Sequence, residues 1–163
     1  IIRRHPHIFG ETKVASFREV VQNWEALKKK ERKEGASMLE GVPKQMPALA
    51  YSYDIQKRVA RVGFDWEDLE GNIEKVTEEI GEIRQAATKK EKEEENGDLL
   101  FSLVNIIRRD GIDPEAALRN ANNKFYRRFT RMEQLCQERG LELNRLSFDV
   151  QNELWEEVKR EEK

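Results

Sequence analysis

The segment KVTEEIGEIRQAATKKEKEEENGDLL, residues 75–100, decides the fold because it carries one acidic pattern twice. The pattern is two adjacent acids with a third acid three residues after the second, and it occurs as Glu78-Glu79-x-x-Glu82 and as Glu94-Glu95-x-x-Asp98. Residues three or four apart lie on the same face of an α-helix. Each copy therefore predicts a helix with carboxylates grouped along one side.

A tight turn is predicted between the two copies. Thr88 and Glu91 form a capping-box pattern, in which the two side chains bond to backbone groups at the start of a helix. The turn then joins the two helices as an antiparallel hairpin centred between Thr88 and Lys89. Four carboxylates are expected at matching heights across this hairpin, paired as Glu82 with Glu95 and Glu79 with Asp98.

Carboxylates placed this closely favour a metal site. Two like charges about 4 Å apart repel by roughly 4 kcal/mol at an effective dielectric constant of 20, and a divalent cation would reverse that sign. Oxygen ligands alone favour Mg²⁺ or Mn²⁺. A di-iron bundle would need histidines on partner helices, whereas His5 and His7 lie near the start of the chain. The alternative interpretation is a solvated acidic surface.

The composition limits the classes of function. The chain has 163 residues with 37% hydrophobic and 38% charged residues and a net charge of -2. This balance argues against bulk nucleic-acid or membrane binding. A single cysteine, Cys136, excludes an internal disulfide and suits the cytoplasm. The core should be thin, and self-association would add to the buried surface.

Capping residues and helix breakers predict an all-α fold. No strand-like alternation of polar and apolar residues is present. The stretch at residues 35–47, with two prolines and two glycines, is the one linker-like segment. The predicted helices run from Ser16 to Gly35, from Pro47 to Gly63, over residues 64–87, from Thr88 to Gly111, from Asp113 to Gly140 and over residues 150–163.

Cations and aromatic rings follow the acidic hairpin along the chain. Lys124 and Arg128 lie four residues apart, as do Trp155 and Lys159. Lys75, one turn before Glu79, could meet a phosphate or pair with that carboxylate. Core packing explains Trp155 as well as base stacking does. Together with the carboxylates, these residues indicate a site for a nucleotide polyphosphate.

These motifs resemble the MazG family of nucleoside triphosphate pyrophosphohydrolases. The resemblance rests on KVTEEIGEI, EEENGDLLFSLVN, NKFYRRF and LWEEVK, in that order, and covers about residues 43–163. It implies a MazG-like all-α helical bundle that forms a homodimer. It also implies Mg²⁺-dependent hydrolysis of a nucleoside triphosphate to the monophosphate and pyrophosphate.

The resemblance also assigns residues to roles. The metal ligands would be Glu79, Glu82, Glu95 and Asp98. Independently of the resemblance, either of the additional acids, Glu78 or Glu94, could accept the proton of the attacking water as general base, and the sequence does not distinguish between them. The substrate-side positions would be Lys75, Glu78, Glu94, Lys124, Arg128, Trp155 and Lys159.

The start of the chain is expected to be the remnant of a first copy of the same domain. The segment RRHPHIFG, residues 3–10, resembles the end of the first domain in two-domain members of the family. In addition, NWEALKKKE at residues 23–31 resembles LWEEVKREE at residues 154–162, although chance could produce this match in charged helices. We therefore expect residues 1–42 to be a catalytically silent remnant with a linker, and residues 43–163 to be the complete domain.

Two other functions remain open from the sequence. An enzyme with the same hairpin could cleave a narrower substrate, such as dUTP, dCTP or phosphoribosyl-ATP, instead of accepting many nucleoside triphosphates. Alternatively, the acidic face could dock a basic partner, which would make the protein a non-catalytic helical interaction module.

Overall fold

The computed structural model describes residues 36–162 and divides the chain into two compact units, residues 1–41 and 42–163. In the first unit, the described residues form a turn closed by a 3.0 Å hydrogen bond from the backbone N–H of Glu40 to the carbonyl oxygen of Ser37. The helix predicted from Ser16 to Gly35 lies outside the described residues.

The second unit is helical, which confirms the all-α prediction for the described residues. Residues 36–162 contain no β-strand. A 3₁₀-helix at Leu143–Arg145 was not predicted. The α-helices of this range are α1 (Ala48–Ala60), α2 (Leu69–Gln85), α3 (Lys89–Arg109), α4 (Pro114–Glu138) and α5 (Phe148–Glu161).

The turn between α2 and α3 is the one that the capping box predicts. Thr88 Oγ1 accepts a 3.2 Å hydrogen bond from the backbone N–H of Glu91. In return, Glu91 Oε2 accepts hydrogen bonds from the backbone N–H groups of Thr88, at 3.0 Å, and of Ala87, at 2.8 Å. Since three residues separate the two helices, α2 and α3 lie antiparallel and in extensive contact.

The predicted start of α2 is wrong. A helix was expected from residue 64, but α2 begins at Leu69, where the Asp68 side chain accepts a 3.0 Å hydrogen bond from the backbone N–H of Gly71. The residues before it are held by the end of α3. Arg108 pairs with Asp65 at 2.5 Å, and Arg109 donates a 2.6 Å hydrogen bond to the carbonyl oxygen of Trp66. These contacts hold Asp65 and Trp66 in the loop, so the helix does not extend back to these residues.

The remaining helix boundaries agree with the prediction to within a few residues. Gly63 and Gly111 have positive φ angles of 83° and 70°, which end the turns after α1 and α3. Asp113 caps α4 through the backbone N–H of Ala116 at 3.1 Å, with Pro114 in the first turn. The last helix starts two residues earlier than predicted, because Ser147 caps it.

The hydrophobic core is small, as the composition indicated. A cluster between α4 and α5 is formed by Met132, Leu135, Cys136, Leu154 and Val158. Elsewhere, Val104 of α3 is almost fully buried, while α1 packs on both α3 and α4. Many large apolar side chains of the described residues remain exposed. None of the helices between residues 36 and 162 has both the length and the apolar composition needed to cross a membrane.

Candidate metal centre

Three of the four carboxylates predicted as metal ligands meet between α2 and α3. Glu79, Glu82 and Glu95 each place a carboxylate oxygen within 4.8 Å of the other two. Asp98, the fourth predicted ligand, is exposed and does not belong to this group. The register predicted for the hairpin therefore brings Glu82 and Glu95 together, while Asp98 stays outside the cluster.

Glu79 is the buried member of this cluster. Its side chain is 3% exposed, and its Oε1 pairs with Nζ of Lys75 at 2.8 Å. Its other oxygen, Oε2, is buried and has no hydrogen-bond partner among the described residues. An unpaired carboxylate oxygen is costly in a protein interior. A cation at this position would satisfy it.

Burial and neighbouring negative charge both act on Glu82. Burial raises the pKa of this carboxyl first, and the negative charges of Glu95 and Glu79 raise it further, while Lys75 opposes them. An open depression beside the cluster is lined by Glu82, Gln85, Ala86, Glu91 and Glu95. Oxygen donors of this kind suit hard divalent cations. The cluster can therefore hold such an ion with access from solvent.

The two acids predicted as proton acceptors, Glu78 and Glu94, are exposed beside the cluster. Glu78 pairs with Lys75 at 3.0 Å, and Glu94 pairs with Lys90 at 3.5 Å. Lys75 thus bridges Glu78 and Glu79. The sequence left open whether Lys75 meets a phosphate or pairs with Glu79. In the structure it pairs with Glu79.

The other predicted phosphate-binding cations lie on α4 and α5. Arg128 donates from Nε to Glu162 at 2.7 Å, and Lys159 pairs with Glu156 at 2.7 Å. Lys124 is exposed and makes no ion pair with any residue in the range 36–162. Two of these three cations therefore already have carboxylate partners, and neither partner belongs to the carboxylate cluster.

The aromatic residues of this region form a group of their own. The ring of Trp155 lies 5.2 Å from that of Phe125 at an angle of 44°, and Phe125 stacks with Phe129 at 6.0 Å. Trp155 also packs against the core between α4 and α5. Core packing therefore accounts for part of its surface. Phe125 remains 59% exposed, so this group still presents a flat apolar face to solvent.

Two buried amides and an arginine clamp were not predicted from the sequence. Gln56 donates a 2.8 Å hydrogen bond from Nε2 to the carbonyl oxygen of Phe101, but its Oε1 has no partner among the described residues. Asn72, two turns before Glu79, is 2% exposed with Oδ1 likewise unpaired. The clamp consists of Arg108 and Arg109, which lie at the end of α3 and bind residues of the loop before α2. Nothing in the sequence pattern distinguishes these polar residues from surface ones.

Comparison with curated proteins finds relatives that are similar in sequence over almost the whole chain. The chain is 44% identical over 167 residues to the nucleoside triphosphate pyrophosphohydrolase of Escherichia coli strain K12, covering 98% of this chain and 64% of that protein. It is 43% identical over 160 residues to the nucleoside triphosphate pyrophosphohydrolase/pyrophosphatase MazG of Thermotoga maritima, covering 98% of this chain and 61% of that protein.

A third relative has no activity in its name. The chain is 42% identical over 168 residues to the uncharacterized protein YabN of Bacillus subtilis, of which it covers 34%. No protein-family model matches the chain. The chain thus spans less than two thirds of the length of these relatives. The similarity to the first two extends over almost the whole chain, including both acidic helices, so the chain is similar over this length to proteins named as nucleoside triphosphate pyrophosphohydrolases, one of them MazG.

Proposed function

We propose that this protein hydrolyses nucleoside triphosphates to the nucleoside monophosphate and pyrophosphate, with broad specificity, in a reaction that depends on Mg²⁺. The observation that carries the proposal is the cluster of Glu79, Glu82 and Glu95, in which one buried oxygen of Glu79 has no partner among the described residues. The names of the relatives from E. coli and T. maritima support the same reaction.

Mg²⁺, or Mn²⁺ in its place, would be held by Glu79, Glu82 and Glu95, with Asp98 as a fourth ligand. Such an ion neutralises phosphate charge and lowers the pKa of water. Three carboxylates in one group favour a divalent cation over none, because each would otherwise repel its neighbours.

The other predicted residues would bind and orient the substrate. Lys124 is free to meet a phosphate, and Arg128 and Lys159 would do so after leaving Glu162 and Glu156. Trp155 would present its ring to the base. Glu78 or Glu94 would take the proton of the attacking water, since both acids are exposed beside the cluster. All of these residues lie within residues 43–163, which we propose as the catalytic domain.

The protein would act as a homodimer in the cytoplasm. Exposed apolar side chains on the acidic hairpin support the dimer: Ile80 is 40% exposed, Leu100 is 56% exposed and Phe101 is 41% exposed. Single exposed apolar residues are ordinary, but several on adjacent helices indicate an interaction surface. Sedimentation analysis of the purified protein tests this proposal, and a monomer at micromolar concentration contradicts it.

The reaction is tested by incubating the protein with a panel of ribo- and deoxynucleoside triphosphates, in Mg²⁺ and in EDTA. The panel includes dUTP and dCTP, and phosphoribosyl-ATP is assayed beside it. We expect pyrophosphate and the matching monophosphate from most substrates, and neither product in EDTA.

Other outcomes identify the alternatives. Turnover of dUTP, dCTP or phosphoribosyl-ATP alone would replace broad specificity with a narrow one. Release of inorganic phosphate with the diphosphate would put the attack on the γ-phosphorus and contradict the proposed reaction. No turnover of any substrate, with the protein folded, would favour the non-catalytic interaction module.

A further inference from the structure

Lys75 forms an ion pair with Glu79. Among the described residues, Glu79 is the only predicted metal ligand whose side chain is buried. Lys75 Nζ lies 2.8 Å from Glu79 Oε1 and 3.0 Å from Glu78 Oε1. The Lys75 side chain is 34% exposed and that of Glu79 is 3% exposed. The ammonium group therefore reaches from the solvent edge of α2 to a carboxylate in the interior.

The two oxygens of Glu79 differ because of this contact. Oε1 is bound to Lys75, whereas Oε2 is buried without a partner among the described residues. A carboxylate held through one oxygen cannot turn freely, so its second oxygen keeps a fixed position. The other two carboxylates of the cluster, on Glu82 and Glu95, lie within 4.8 Å and offer only like charge. Among residues 36–162, Lys75 is the cation that forms an ion pair with a carboxylate of the cluster.

We propose that Lys75 is a positioning residue for the metal ligand Glu79, in addition to any contact that it makes with substrate. It fixes one oxygen of the buried carboxylate and leaves the other oriented for the cation. This inference rests on the proposed function, since it takes Glu79 as a metal ligand. It differs from a role as a phosphate contact, because a positioning residue affects metal affinity when no nucleotide is present.

The two roles predict opposite changes in the affinity for a metal ion when Lys75 is replaced. Removing a positive charge next to an acidic cluster strengthens cation binding by Coulomb's law. Removing a residue that orients a metal ligand weakens it, commonly by 10- to 100-fold. We therefore expect the full chain with Lys75→Met to bind Mn²⁺ about tenfold more weakly than wild type, as measured by electron paramagnetic resonance without nucleotide.

A matched control removes a lysine in the same relation to an acid. Lys90 is four residues before Glu94, as Lys75 is four residues before Glu79, but the Lys90 and Glu94 side chains are 85% and 58% exposed. Lys90→Met lowers the positive charge near the cluster without touching a buried carboxylate. We expect it to bind Mn²⁺ as tightly as wild type, or slightly more tightly.

A second variant covers the case in which Lys75→Met does not fold. Lys75→Gln keeps a donor for Glu79 Oε1 without the charge, and we expect it to bind Mn²⁺ several-fold more weakly than wild type. Circular dichroism and gel filtration establish that each variant is folded.

The outcomes distinguish the inference from the proposed function. Unchanged or tighter Mn²⁺ binding by folded Lys75→Met, or by Lys75→Gln in its place, overturns the positioning role and leaves the metal site intact. No Mn²⁺ binding by wild type overturns both the metal site and this inference. Weaker binding by Lys75→Met and Lys90→Met alike also overturns it, because the effect would then be unrelated to Glu79.

Discussion

Arg128 donates a 2.7 Å hydrogen bond from Nε to Oε2 of Glu162, so a cation expected to bind the triphosphate already holds a carboxylate. The same glutamate accepts a 3.4 Å hydrogen bond from Arg127. Glu162 therefore occupies the position relative to Arg128 that a phosphate oxygen would take. Under the proposed function, a triphosphate that binds Arg128 would exchange one anion for another.

Glu162→Gln should lower the KM for a nucleoside triphosphate by about two- to fivefold, with kcat unchanged. A partly exposed ion pair such as this one is worth up to about 1 kcal/mol, and releasing Arg128 makes that free energy available to the substrate. Steady-state kinetics of pyrophosphate release measure the change. Glu157→Gln is the control, because it releases Arg139, which directly follows α4, from a glutamate of α5. If Glu162→Gln and Glu157→Gln have the same KM, the proposal that Arg128 binds the substrate is contradicted.

Glu95→Gln should reduce Mg²⁺-dependent turnover by at least about 100-fold, since it removes one charge from a cluster of three proposed ligands. Glu93→Gln removes an equal charge from the same helix outside the cluster, and it should keep wild-type activity. The initial rate of pyrophosphate release at saturating Mg²⁺ compares them. Full activity of Glu95→Gln would contradict the carboxylate site itself.

Glu82→Gln should raise the Tm of the metal-free protein at neutral pH. The pKa of Glu82 is raised by burial and by Glu95 and Glu79, so the folded state prefers the protonated carboxyl. The stability that this provides is present below the unfolded-state pKa and is lost as the pH rises through the folded-state pKa. Because glutamine carries no charge, the variant avoids that loss. The difference in Tm between the variant and wild type should disappear as the pH falls below 4.5, the ordinary pKa of a glutamate.

Thermal unfolding in EDTA across this pH range tests the prediction. Adding Mg²⁺ at neutral pH should then stabilise wild type more than Glu82→Gln, because a ligand stabilises the folded state that binds it. If Glu82→Gln is less stable than wild type in EDTA at neutral pH, the charge of Glu82 does not destabilise the folded protein and the prediction is contradicted.

Gly71→Ala should destabilise the loop before α2. A Cβ atom on Gly71 would lie 2.7 Å from Cε3 of Trp66, so the indole ring would have to move. Such overpacking costs about 1–3 kcal/mol, which exceeds the helix-propensity gain of up to about 1 kcal/mol. Urea denaturation followed by tryptophan fluorescence measures both the stability and the displacement of the ring.

Gly97→Ala is the matched control, because a Cβ atom there meets nothing within 4 Å among the described residues. It should raise the free energy of unfolding through helix propensity alone. Equal stability of the two variants would mean that Trp66 moves away at no cost.

The hairpin could be predicted because its signals are local. The capping box of Thr88 and Glu91 lies within one turn of helix, and both of its hydrogen bonds form as expected. The closeness of Glu82 and Glu95 then follows from the length of the turn. The start of α2 could not be predicted in the same way, because it depends on Arg108 holding Asp65, which lies 43 residues earlier in the chain.

The sequence by itself determined the helices, the hairpin turn and the spacing of the carboxylates along α2 and α3. These features depend on hydrogen bonds and side-chain contacts between residues a few positions apart. Only the tertiary structure decided that Glu79 is buried, that Asp98 is exposed and that Arg128 is paired with Glu162. Burial and long-range ion pairs depend on which helix faces meet, and residues on one helix with the same local pattern can therefore differ in solvation and charge.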